Sequence, residues 1–201
     1  MRRQAFAALE RFLDEASSWE LADRREICEE ILELHARTPE AHQFLSQPIL
    51  SRFLLPVVEE WVETEPTGII PLRWLGILTG DPALLRRALT EFPGDVPARR
   101  SLAGLLLSGV DYATHHLVES RLLEDLEATQ AAVARIRTLL EAAPEPAAFA
   151  DLVSELDHYE MLLSDWALYE ASPEGTFPEW CERRGRSYQW PSVYYYGEGD
   201  A

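Results

Sequence analysis

The chain has 201 residues, a formal net charge of −17 and 47% hydrophobic residues, enough apolar content for the core of one ordinary domain. The acid excess argues against binding nucleic acid or an anionic membrane through the general surface. The apolar runs are short and interrupted, which excludes a membrane-spanning helix. Every lysine or arginine position is arginine, and asparagine is also absent, as a GC-rich genome would leave it; a bacterial source is the expectation. The two cysteines, Cys28 and Cys181, fit a reducing cytoplasm as free thiols.

Every segment long enough to be an element reads as helix, so the expected fold class is all-α. Prolines mark the starts: Thr38-Pro39, Gln47-Pro48, Glu65-Pro66, Asp81-Pro82, Glu145-Pro146 and Ser172-Pro173 each precede an amphipathic run. Proline suits a first helical turn, where its missing N–H costs nothing and its φ is already helical. Thr38 and Asp81 are good N-cap residues.

The N-terminal Met1-Arg2-Arg3 has the charges of a secretory leader, but its apolar stretch ends at Glu10. Residues 2–16 therefore read as a helix with Phe6, Leu9, Phe12 and Leu13 on one face. Residues 20–37 repeat the pattern with Leu21, Ile27, Ile31 and Leu34, giving an antiparallel pair joined near Ser17-Ser18-Trp19. Residues 39–64 predict a short helix and then an apolar one from Ile49 to Trp61. Pro56 must kink that helix or start a new one. Residues 69–80 are apolar nearly all round and predict a buried central helix. Gly80 then serves as a C-cap, and Asp81 as the next N-cap.

Asp81-Pro82-Ala83-Leu84-Leu85-Arg86-Arg87-Ala88-Leu89 is echoed, with a one-residue slip, by Asp95-Val96-Pro97-Ala98-Arg99-Arg100-Ser101-Leu102-Ala103. Leu75, Gly76, Ala88 and Phe92 also have the spacing of a tetratricopeptide unit. Over about one repeat, residues 69–92, the chain resembles that family. The resemblance implies a helical array with a concave binding face, and it carries over no ligand-binding residue.

Further on, Leu122, Leu126, Thr129, Val133, Ile136 and Leu140 follow a 4-3-4-3-4 spacing. Phe149, Leu152, Leu156, Tyr159, Leu163 and Trp166 follow 3-4-3-4-3. Residues 111–171 thus predict a long antiparallel helical hairpin with two facing seams. In residues 172–201, Phe177, Trp180, Tyr188, Trp190, Tyr194, Tyr195 and Tyr196 are too aromatic for a disordered tail, and predict a strap packed over the helices. The architecture expected is a single domain, 1–201. Stacked short antiparallel helices fill 1–110, the hairpin 111–171 and the aromatic strap 172–201.

Two surfaces could carry function. Residues 66–110 hold Arg73, Arg86, Arg87, Arg99 and Arg100 against three acids, whereas residues 144–171 hold seven acids and no arginine. The arginines would meet an acidic partner or the protein's own acidic helix. The second candidate is Asp111, His115, His116 and Glu119. Asp111, His115 and Glu119 are spaced by four and share a helical face, and extending the Leu122 seam backward lands on Glu119 and His115. Polar residues stand where the core pattern asks for apolar ones, a conflict that marks candidate sites. These types suit iron, zinc or manganese.

Glu155 and His158 have the Glu-x-x-His spacing of diiron carboxylate bundles, but those need two such units. In a hairpin that turns near residue 145, His158 lies beside Ala132 and Glu119 beside Glu170. That is a separation of about 12 residues, or roughly 18 Å, too far for one metal. The quartet can still act if the long first helix breaks between His116 and Ser120.

The glutamates around Cys28 raise its pKa, while Arg183 and Arg184 favour a thiolate at Cys181. There is no Gly-x-Ser-x-Gly, no phosphate-binding loop and no Cys-x-x-Cys. His35 and His42 are isolated and read as structural. The leading expectation is a non-enzymatic cytoplasmic interaction module that binds another protein and needs no cofactor. The alternatives are a small metal enzyme at the Asp111 quartet, an acidic immunity- or chaperone-type protein masking a basic partner, and a homodimer that completes the hairpin's apolar faces.

Overall fold

The computed structural model describes residues 2–38 and 45–190. Among them every element is helical, and none of the helices is long and apolar enough to cross a membrane. The short helix expected just after Pro39, His42, Tyr194–Tyr196 and the final residues lie outside the described set. The chain divides into two compact units, Met1–Ser101 and Leu102–Ala201.

In the first unit, α1 (Arg2–Ala16) and α2 (Leu21–Arg37) are joined at Ser17-Ser18-Trp19. Leu13 and Ala16 are buried, and Phe12 meets Trp19 and Phe53 edge-on with ring centroids 5.7 and 5.1 Å apart. Phe6, expected on the same apolar face, is exposed one turn further out. In α2 the fully buried residues are Cys28 and Leu32, flanked by Ile27 and Ile31, while Leu34 is exposed. Thr38 closes α2, its hydroxyl donating to the Leu34 carbonyl at 2.6 Å.

Next, α3 (Gln47–Ile49) continues through a π-helical stretch, Leu50–Leu54, into α4 (Leu55–Thr64). Here the sequence expectation at Pro56 resolves. A proline inside an α-helix clashes with the carbonyl four residues back, here Arg52. The wider π turn lies over that residue and accommodates the ring, so the helix runs on to bury Val57, Val58 and Trp61. α5 (Ile69–Thr79) is the enveloped helix its composition predicts, with Leu72, Trp74 and Gly76 buried and nothing exposed from Gly68 to Leu78. Gly80 ends it at φ 64°, and Asp81 caps α6 (Pro82–Glu91) by accepting from the Ala83 N–H at 2.7 Å. α5 and α6 pack as a tight hairpin in which Gly76 lies directly against Leu85.

The unit boundary falls inside α7 (Val96–Thr114). The second unit then departs from the sequence expectation. The predicted hairpin holds for α8 (Leu126–Glu141) and α9 (Ala150–Ala171), joined by a 3₁₀ turn at Pro146–Phe149. Thr129, Val133, Ile136 and Leu140 are buried on one side, and Leu156, Tyr159, Leu163 and Trp166 on the other. Residues 111–125, expected to extend the first arm, do not. α7 ends at Thr114, a single 3₁₀ turn spans Leu117–Glu119, and Asp125 caps α8 afresh by accepting from the Ala128 N–H at 2.8 Å. The cause is the polar pair in the seam. His115 and Glu119 in a continuous helix would be buried without partners, whereas the break lets Leu117 alone enter the core.

Ser120 turns the corner at φ 59°, and its Oγ accepts the Phe177 N–H at 2.7 Å. Phe177 opens α10 (Phe177–Arg183), which Thr176 and Glu179 start as a reciprocal capping box. Phe177 and Trp180 are buried, and Trp166, Tyr169 and Phe177 pack with ring centroids 5.1–5.3 Å apart. Gly185, at φ 72°, releases the chain into a strap that reaches Trp190.

Candidate functional site

All the side chains of the candidate site lie in the second unit. The last turn of α7, the middle of α9 and the strap at Ser187–Trp190 enclose a cleft of about 600 Å³. Asp111, Thr114 and His115 line it from α7, His158, Tyr159 and Leu162 from α9, and Tyr188, Gln189 and Trp190 from the strap. The separation expected between His158 and the Asp111 group is therefore corrected. It assumed one straight arm of a hairpin. Because the chain breaks after Thr114, the end of α7 comes back beside α9, and Tyr159 donates its hydroxyl to Asp111 Oδ1 at 3.0 Å.

The predicted quartet is split by the same break. Asp111 and His115 face the cleft, whereas His116 Nδ1 lies 3.2 Å from Glu119 Oε1 within the 3₁₀ turn. Among the described residues no three His, Cys, Asp or Glu side chains converge to hold a metal ion. The rings of His115 and His116 are adjacent, with centroids 4.2 Å apart. His115 Nδ1 lies 2.6 Å from the Tyr112 carbonyl. A carbonyl only accepts, so that nitrogen carries the proton and Nε2 of neutral His115 is an acceptor.

Two tyrosines stiffen the cleft. Tyr188 donates to the buried Asp165, whose Oδ2 also takes Arg186 Nε at 3.1 Å. Burial first, and the carboxylate partner second, push the Tyr159 and Tyr188 hydroxyls well above the ordinary tyrosine range, so both stay protonated donors. Tyr188 also meets His158 and Trp190 edge-on, at 5.7 and 5.6 Å. Tyr159, Tyr188 and Trp190 were read from the sequence as seam and strap only. The available signal was a tyrosine among the seam's apolar residues, whose hydroxyl must find a partner once buried.

Of the five arginines, Arg73 and Arg99 are turned inward, while Arg86, Arg87 and Arg100 are exposed. Arg73 bridges Glu33 at 3.0 Å and Asp95 at 3.2 Å and lies over the Trp74 ring. Arg99 is buried, donates to the Pro93 carbonyl, and has its pKa lowered by desolvation. Arg87 donates to the Pro66 carbonyl, and Arg86 and Arg100 are exposed. The acids that Arg73 meets are those of α2 and of the turn before α7.

At Cys181 the expected thiolate is also corrected. Arg184 stacks 4.2 Å over the Trp180 ring and Arg183 donates to the Glu174 carbonyl. Burial, then Asp165, push the thiol up to about 11 against a smaller opposing effect of Arg186. Cys28, buried beside Glu29, is pushed up to about 12. No protein-family model, no curated protein and no solved structure matches this chain.

Proposed function

We propose that the protein is a non-enzymatic interaction module, working in the cytoplasm, that engages a partner carrying excess positive charge. One observation carries this reading: arginines of both units pair with carboxylates of their own unit, in a chain where acids outnumber arginines 35 to 18. Arg24 pairs with Glu60, Arg25 with Glu65, Arg52 with Glu10, Arg73 with Glu33 and Asp95, and Arg137 with Asp157 and Glu160. On α9 the carboxylates of Glu155 and Glu170 remain exposed, and Met161 and Leu168 are exposed on another face of the same helix. Exposed carboxylates on an acidic chain suit a basic partner, because complementary potential speeds encounter and disfavours partners of the same charge. The tetratricopeptide resemblance at residues 69–92 agrees with a helical array that presents surfaces rather than chemistry.

The test is a tagged pull-down from the native lysate, read by mass spectrometry at low and moderate salt. The expected result is a basic protein that is retained by the wild type and weakened by Glu155→Gln with Glu170→Gln. An acidic partner, lost with Arg86→Glu and Arg100→Glu but not with the glutamate variants, overturns the reading.

A further inference from the structure

The cleft beside Asp111 has a chemical bias of its own. Asp111 accepts from Tyr159 through Oδ1 and lines the cleft as an exposed carboxylate. In neutral His115 Nε2 is an acceptor, because Nδ1 donates to the Tyr112 carbonyl. The Tyr159 and Tyr188 hydroxyl protons are committed to Asp111 and Asp165, so their oxygens can only accept from a ligand. Among the described residues no arginine lines the cleft, and Arg186 is held by Asp165. The donors that remain, from Ser187, Gln189 and Trp190, are neutral and offer an anion no counter-charge. The walls are aromatic: Tyr188 and Trp190 meet at 61°, and His158 meets Tyr188 at 75°.

We propose that this cleft binds an organic cation, a guanidinium or primary ammonium group on a short stem. Such a group brings N–H donors to a set of acceptors and lays its charge against π faces, which attract cations. Tyr159 and Tyr188 resist ionisation, so they keep the carboxylates oriented while the cation binds. A net charge of −17 raises the local cation concentration around the molecule. The cation could be a free small molecule or an arginine or lysine side chain of the basic partner. Only the second source rests on the function proposed above.

Isothermal titration of the full chain distinguishes them, with agmatine as the free cation and an arginine-bearing tripeptide as the side-chain source. The same tripeptide with citrulline is the neutral control. The expected result is saturable one-to-one binding of at least one cation and none of the citrulline peptide. Asp111→Asn keeps a carbonyl for Tyr159 and is expected to weaken binding by about tenfold or more at unchanged thermal midpoint. Trp190→Ala, outside any helix, is the second variant and is expected to weaken it too. Absence of binding to the wild type, or wild-type affinity in both variants, overturns the cleft proposal. Capture of a basic protein from lysate with no cation bound in the titration overturns the cleft alone and leaves the interaction reading standing. Cation binding lost in Asp111→Asn, with lysate capture unchanged, supports the cleft and assigns it a free cation.

Discussion

Cys28 and Cys181 show how environment overrides local sequence at single residues. For Cys28 the neighbouring glutamates and burial act in the same direction, and its raised pKa was legible. For Cys181 the adjacent arginines suggested the opposite sign. Their guanidiniums point elsewhere, one to the Trp180 ring and one to the Glu174 carbonyl, while Asp165 approaches from α9. Sequence neighbours on a helix diverge by 100° per residue, so adjacency is a poor guide to contact. Only thiolates react with disulfide reagents, and both thiols are buried and pushed up to about 11 or 12. At pH 8 the native protein is expected to show no reaction with Ellman's reagent over minutes, and two thiols on addition of urea. Fast reaction of either cysteine in the native state would contradict both burial and the raised pKa values.

At the scale of the element, the helices and the α8–α9 seams were legible because 3.6-residue periodicity, proline starts and Asp caps are local signals. The break after Thr114 was legible only as a conflict, polar residues in a seam, because its resolution depends on where Leu117 is buried. Helix contacts leave a similar signature at glycine. A Cβ on Gly76 would lie 2.8 Å from two side-chain carbons of Leu85 and 3.2 Å from its backbone nitrogen. Alanine gains up to about 1 kcal/mol over glycine in helix propensity, but overpacking costs about 1–3 kcal/mol. Gly76→Ala is therefore expected to lower stability. At Gly104, in α7, an added Cβ meets nothing within 4 Å. Gly104→Ala should keep the propensity gain and raise stability. Urea midpoints of the two variants test the argument, and a stabilised Gly76→Ala would show that α5 and α6 are not in tight contact there.

For the whole molecule, the cleft was hidden from sequence reading because its walls come from residues 111–115, 158–162 and 187–190, which no single period connects. Net charge, in contrast, needs no fold to be read. Its consequence for stability turns on distance. The ion pairs of Arg73 with Glu33 and Asp95 lie at 3.0 and 3.2 Å, well inside a Debye length of about 30 Å at 0.01 M salt or about 8 Å at 0.15 M. Salt therefore screens them little. Repulsion among the unbalanced surface acids acts over longer distances and is screened strongly, and folding concentrates those acids. Raising sodium chloride from about 10 to 150 mM is expected to raise the thermal midpoint by a few degrees, since about 1 kcal/mol moves a chain of this size by about 2–4 °C. A falling midpoint would mean that the internal ion pairs outweigh the self-repulsion. The surface acids would then be balanced within the fold, and the argument for a basic partner would lose its electrostatic basis.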